Sequence, residues 1–260
     1  MIDLHNHILP GVDDGAADLD ESIAIARQFV SEGVVRVAAT PHFDPERRSG
    51  IDANDVEEKL SEVRESLEAA GVQLEVVAGH ELFLTPEAPS LLEAGRVSPL
   101  GLGSAVLVEL SLMLEHPPLY LDETLFQLQL AGYQPVLAHP ERYPFVQRDP
   151  AALDAVVARE VILQLTAPSL LGEYGWRIRR TAERLLRQGS YTVAASDRHH
   201  PGRDRSLADL HQRIAELRDS EVAEMLLRSN PQRLLNGERV VKLEASPVDN
   251  PGRFGRLFRR

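Results

Sequence analysis

The sequence contains no cysteine. That absence removes disulfides, thiolate zinc sites and any cysteine-nucleophile chemistry. Nor is there a run of about 18 apolar residues, the length that a bilayer-crossing helix needs. The opening stretch MIDLHNHILP has neither a basic segment nor a continuous apolar one, so a soluble cytoplasmic protein with no integral membrane segment is expected. Positive charge is scarce too: 28 Lys and Arg stand against 40 Asp and Glu, a formal charge of -12. Broad attraction to nucleic-acid phosphates is therefore not expected, and no basic stripe with interleaved aromatics occurs. An anionic substrate would need local help from metal ions or a few arginines. The one basic run, Arg253 to Arg260, follows a Pro/Asp/Asn/Gly-rich stretch beginning at Ser246. The expectation is a body over 1–245 and a flexible basic tail over 246–260, with a docking segment as the alternative for the tail.

What is present suits one sizeable core, since 43% of the 260 residues are hydrophobic. Short β-branched apolar runs alternate with longer segments of helical spacing, the pattern of a parallel sheet wrapped by helices. The predicted strands are Ile2–Leu4, Val34–Thr40, Leu74–Ala78, Ala105–Leu110, Gln134–Ala138, Val161–Leu165 and Tyr191–Ala195, seven runs in all. Helices are predicted near Leu19–Glu32, Asp55–Ala70, Pro86–Ala94, Leu121–Ala131, Pro150–Ala158, Glu173–Gln188, Ser206–Arg218 and Glu221–Leu227. Gly33, Gly71, Gly132 and Gly189 each follow such a stretch, where a left-handed terminal residue is favoured.

The polar residues gather at the ends of the predicted strands. His5 and His7 follow the first, His42 the second and Glu81 the third; Glu109 lies inside the end of the fourth, His139 follows the fifth, and Asp197 with His199 follow the seventh. In a parallel barrel all strand C-termini open on one face, so these residues would converge. His5 and His7 fall on one side of an extended segment and can grip one metal, the alternative being a strand-end turn. Asp3 either orients a ligand or caps a turn. Glu81 and Glu109 interrupt apolar runs, a costly position for a carboxylate unless it is ion-paired or binds a cation. His80 should point away from Glu81 and pack or face solvent. Arg142 is suited to clamping phosphate oxygens, or else makes a surface ion pair. So many imidazoles and carboxylates without sulfur suit Mn, Fe, Zn or Mg at a multinuclear site.

Five segments, Asp3 to Gly15 (DLHNHILPGVDDG), Ala39 to His42, Gly79 to Glu81, Ala138 to Arg142 and Ser196 to His199, occur in an order that closely resembles the polymerase-and-histidinol-phosphatase (PHP) superfamily. The likeness is to its bacterial capsule-type metal-dependent protein tyrosine phosphatases and spans residue 1 to about 240. It implies an α/β fold, a distorted seven-stranded TIM-like barrel, in line with the strand count. It implies three divalent metal ions, manganese first, with iron, zinc or magnesium as alternatives. One would be held by His5, His7, Glu81 and Asp197, a second by Glu81, Glu109 and His139, and a third by Asp14, His42 and His199. Asp14 enters on resemblance, because Asp13-Asp14-Gly15 read alone is a turn.

The resemblance also implies two phosphate-holding arginines, Arg142 and Arg203, with Arg205 the alternative to Arg203. Relatives carry glycine where this chain has Glu160, so a positive φ there would cost stability without touching the chemistry. The segment from Gln164 to Gly172 either lines the pocket or is an ordinary strand and turn. The implied activity is phosphotyrosine hydrolysis, and the implied partner is a bacterial tyrosine kinase linked to capsular or extracellular polysaccharide synthesis. The rivals are a small-metabolite phosphatase of histidinol-phosphatase type, a nuclease, and a non-catalytic metal-binding module that recruits partners. Oligomeric state is not legible.

Overall fold

The structure is a computed structural model that describes residues 1–202 and 206–245, so Arg203, Arg205 and the segment 246–260 lie outside the described residues. All seven apolar runs contain a strand, but two of them are followed by a second short strand after a break. The strands are β1 (Ile2–Asn6), β2 (Arg36–Ala39), β3 (His42–Phe43), β4 (Glu75–Ala78), β5 (Glu81–Phe83), β6 (Ala105–Glu109), β7 (Gln134–Leu137), β8 (Ile162–Thr166) and β9 (Val193–Ala195). Pro41 separates β2 from β3, where proline cannot donate to a ladder. Gly79 and His80 separate β4 from β5, and a Cβ on Gly79 would lie 2.8 Å from Leu100. These two interruptions were not anticipated from the sequence.

Every strand pair is parallel, in the orders β1-β2-β4 and β3-β5-β6-β7-β8-β9, which makes an α/β fold with a curled parallel sheet. The end of β1 also meets the segment after β9. Asp197 N–H donates to the His5 carbonyl and His7 N–H to the Arg198 carbonyl, each at 2.8 Å.

Alternation along the strands separates two cores. Ala105 and Leu107 of β6, Val136 of β7, Ile162 of β8 and Val193 of β9 pack with Leu234 and Leu235 on the concave side. Val106, Val108, Leu137, Leu163 and Ala194 pack outward into the larger core beneath the helices. By the same period of two, Glu109 shares the face of Ala105 and Leu107, and Gln164 that of Ile162.

The covering helices are α1 (Leu19–Ser31), α2 (Ala53–Ala69), α3 (Ala88–Glu93), α4 (Leu121–Leu130), α5 (Pro144–Arg148), α6 (Asp154–Ala158), α7 (Ala167–Leu171), α8 (Trp176–Arg187), α9 (Leu207–Leu217), α10 (Ser220–Glu224) and α11 (Asn230–Leu235). The predicted helix over 173–188 starts late, at Trp176, because Gly172 and Gly175 both take φ of 92°. The short α5, α7 and α11 went unpredicted; five or six residues carry too little periodicity to register.

Candidate metal centre

The strand ends do converge. Glu81, at the start of β5 and 1% exposed, is the hub: its Oε2 lies 3.0 Å from His5 Nε2, 3.6 Å from His7 Nε2 and 3.1 Å from His42 Nδ1, and its Oε1 lies 3.1 Å from His139 Nε2. Asp197 Oδ1 faces His5 and His7 at 3.3 and 3.6 Å. Glu109 Oε1 lies 3.3 Å from His42 Nδ1, and its other oxygen is 4.0 Å from His139 Nε2. Asp14 Oδ1 lies 3.4 Å from both His42 Nε2 and His199 Nε2.

Among the described residues, three sets bring ligand atoms within 4.8 Å of one another: His5, His7 and Glu81; His42, Glu81 and Glu109; and His7, Asp14, His42 and His199. His42 thus stands where the resemblance put His139 beside the two glutamates, and His7 joins the outer set. His139 keeps its contact with Glu81.

Each inner imidazole is held from behind. His5 Nδ1–H donates to Gln164 Oε1 at 2.9 Å, and the Gln164 amide in turn donates to Thr166 Oγ1 at 3.0 Å. His7 Nδ1–H donates to Asp13 Oδ2 at 2.7 Å, and Asp13 also accepts the amide N–H groups of His42 and Gly15. Fixing one ring nitrogen this way leaves the other aimed inward, as a metal ligand requires. A Cβ on Gly15 would lie 2.2 Å from the His7 carbonyl oxygen, so only glycine admits this close approach.

Asp3, left open between orienting a ligand and capping a turn, accepts from Ser196 N–H and Oγ–H and from Asn6, tying β1 to the segment carrying Asp197. His80 packs away from the cluster as expected, accepting from Ser98 N–H and donating to the Ile51 carbonyl, and burial depresses its pKa.

The electrostatics call for cations. Burial opposes charge on His7, yet the hydrogen bond to Asp13 and the nearby Asp197 carboxylate outweigh it and push its pKa up to about 10. The same contest raises His5 and His42 against their carboxylates and holds Glu81, Asp14 and Asp197 below the usual carboxylate range. Buried His5 Nε2 and His7 Nε2 find no hydrogen-bond partner, an arrangement that divalent ions on N and O donors satisfy. His139 and Asp197 also adopt φ of 36° and 57°, left-handed conformations that non-glycine residues avoid.

Arg142 closes one side. Its Nη1 lies 3.0 Å from Asp197 Oδ2, and its guanidinium sits 4.5 Å from the ring centre of Tyr174. Asp13 and Tyr174 were not singled out from the sequence, while Gln164 opened the segment read as either lining the pocket or an ordinary strand and turn, and it reaches the centre through His5. Gln164 carried a usable signal, a polar residue inside a buried apolar strand, the same one that exposed Glu81 and Glu109. Asp13 and Tyr174 carried none, since a turn aspartate and a loop tyrosine are common.

The family described as capsular polysaccharide synthesis, CpsB/CapC, matches residues 1–236. Tyrosine-protein phosphatase YwqE of Bacillus subtilis is 30% identical over 258 residues, 98% of this chain and 99% of that protein. The solved structures of YwqE from Bacillus subtilis and CpsB from Streptococcus pneumoniae, described as metal-dependent tyrosine phosphatases, give a match with TM-score 0.88 at 30% identity over 95% of this chain and 99% of the matched one. Histidinol phosphate phosphatase from Lactococcus lactis matches at TM-score 0.53 and 12% identity over 87% of this chain and 96% of that one, a likeness of fold alone.

Proposed function

The chain belongs to the capsular polysaccharide synthesis CpsB/CapC family, and from that premise we propose that it is a metal-dependent phosphatase that hydrolyses phosphotyrosine in proteins. The observation that carries the reading is Glu81, a buried carboxylate ringed by four imidazoles beside Arg142.

In this reading His5, His7, Glu81 and Asp197 would hold one divalent ion, Glu81 and Glu109 with His139 a second, and Asp14, His42 and His199 a third, with manganese the first choice. Bound ions of this kind lower the pKa of water toward neutrality and neutralise phosphate oxygens. Gln164 and Asp13 hold the rings of His5 and His7 so that the ligand atoms need no rearrangement. Arg142 offers its planar fork to the phosphate, with Asp197 and Tyr174 fixing the guanidinium, and Arg203 is the second arginine of the clamp. A tyrosine phenolate, pKa about 10, leaves without strong demand for a general acid. The phosphate passes to water with the P–O bond to the phenol broken.

The sheets are read as one distorted seven-stranded barrel, supported by the hydrogen bonds between the β1 end and the segment after β9. The substrate is read as a phosphorylated bacterial tyrosine kinase of polysaccharide synthesis, met in the cytoplasm, with 1–245 the catalytic body. No helix among the described residues is long and apolar enough to cross a membrane.

The test is hydrolysis of a phosphotyrosine peptide by chelator-treated protein, then with Mn, Fe, Zn or Mg added back singly, alongside histidinol phosphate. Activity restored by one ion on the peptide supports the reading. Metal-loaded, folded protein that turns over only histidinol phosphate, or neither ester, would refute it.

A further inference from the structure

A groove of about 570 Å3 runs between α5 and α8. Two links connect it to Arg142: the Gln147 amide donates to the Arg142 carbonyl at 2.9 Å, and Tyr174, under the Arg142 guanidinium, lies two residues before Trp176 on the groove wall.

The lining is unusual for a chain of net charge -12. Arg177, Arg180 and Arg184 of α8 fall on one helical face at spacings of three and four, facing Arg148 of α5. Trp176, the sole tryptophan of the sequence, is 68% exposed there, with Arg177 5.5 Å from its ring. The other two arginines of α8, Arg179 and Arg187, are ion-paired with Glu183. Among the described residues no carboxylate makes an ion pair with Arg177, Arg180 or Arg184, while Glu115 neutralises Arg148 alone.

A solvated helix face usually mixes signs, and this one does not. Three exposed guanidinium groups next to an exposed indole complement a polypeptide rich in carboxylates, which gains contact area from the ring and charge-assisted hydrogen bonds from the arginines. A phosphotyrosine seated at Arg142 would send one flank of its chain across Tyr174 into this groove.

Resting on the phosphatase reading above, we infer that the groove between α5 and α8 is a docking surface for an Asp/Glu-rich segment flanking the phosphotyrosine of the substrate protein. It deepens that reading by assigning a substrate preference to residues outside the metal centre.

Trp176 makes the surface directly observable. Its emission is followed while a peptide with an acidic flank and Phe in place of phosphotyrosine is added, with a Ser/Gly-flanked peptide and a single-stranded oligonucleotide as comparisons. Kinetics follow on the phosphotyrosine versions of both peptides and on para-nitrophenyl phosphate. The expected result is a saturable Trp176 response to the acidic peptide alone and a kcat/KM roughly tenfold above the neutral-flank substrate, carried by KM and shrinking as salt is raised. In Arg177→Glu/Arg180→Glu, and more mildly in Arg177→Ala/Arg180→Ala, response and preference should vanish while para-nitrophenyl phosphate turnover stays within about twofold.

Equal handling of the two flanks by the wild-type protein, a preference that survives both double variants, or tighter binding of the oligonucleotide would overturn the assignment. A Trp176 response in a protein inactive on every phosphotyrosine peptide would instead sink the phosphatase reading and leave an acidic-segment docking surface.

Discussion

Oδ2 of Asp13 lies 2.7 Å from Nδ1 of His7 and, from the same oxygen, accepts the His42 amide N–H at 3.1 Å. One turn carboxylate therefore orients two of the candidate metal ligands without being a ligand itself. Asp13→Ala should lower metal affinity by about 10–100-fold while leaving the fold intact, and Asp13→Asn, which can still accept from His7, should lose less. Competition titration against a chelating indicator gives both numbers. Unchanged affinity in Asp13→Ala would show that the contact does not support the centre.

Arg142 is held by Asp197 on one side and stacked on Tyr174 on the other. Lysine could keep the charge but not the planar fork, so Arg142→Lys as well as Arg142→Ala should depress kcat, Ala by roughly 10²–10³-fold, with metal content preserved. Turnover by metal-replete protein, with bound metal counted in the same sample, decides this. An Arg142→Lys variant of wild-type rate would reduce the role to simple charge.

The metal-free protein should lose stability as alkali is added. His7 has its folded pKa raised to about 10 against an ordinary value near 6.5, so its contribution is fully present below about pH 6.5 and is lost as pH rises through about 10. His5 and His42 shift in the same direction. The melting temperature of the chelated protein should therefore fall between about pH 7 and pH 10. The metal-loaded protein, in which ions replace those protons, should hold its melting temperature over the same range and should release protons on loading. Parallel thermal melts, with a pH indicator during metal addition, measure both.

Glu160 adopts φ of 62°, in the left-handed region, and stands just before β8 at the end of the sheet away from the metal centre. Its carboxylate pairs with Lys242 at 3.1 Å, but both side chains are largely exposed and such pairs contribute little. Glu160→Gly should therefore raise the unfolding midpoint, by roughly 2–4 °C, and leave turnover unchanged. A lower midpoint would mean that the Lys242 contact outweighs the backbone strain.

The sequence made the chemistry of the centre legible because the ligand types are expensive anywhere else. Glu81 and Glu109 interrupt apolar strands, and five histidines fall at strand ends. The absence of cysteine by itself narrows the reaction class. Strand and helix periodicity likewise fixed the alternating α/β plan, since burial of one face leaves a period in the chain. The awkward position of Glu160 was legible only through the resemblance, whose members usually carry glycine there.

Tertiary structure decided what depends on contacts between distant segments. Gln164 could be known as the partner of His5 only once β8 stood opposite β1, and Asp3 proved to tie β1 to Ser196, 193 residues away. The regrouping of His42 with Glu81 and Glu109 came from β3 pairing with β5, a strand created by the break at Pro41. The row of arginines on α8 was written in the sequence all along. Its meeting with Arg148 and its position beside Arg142 follow from how α5 packs against α8, because helical spacing sets which residues share a face but not what that face will meet.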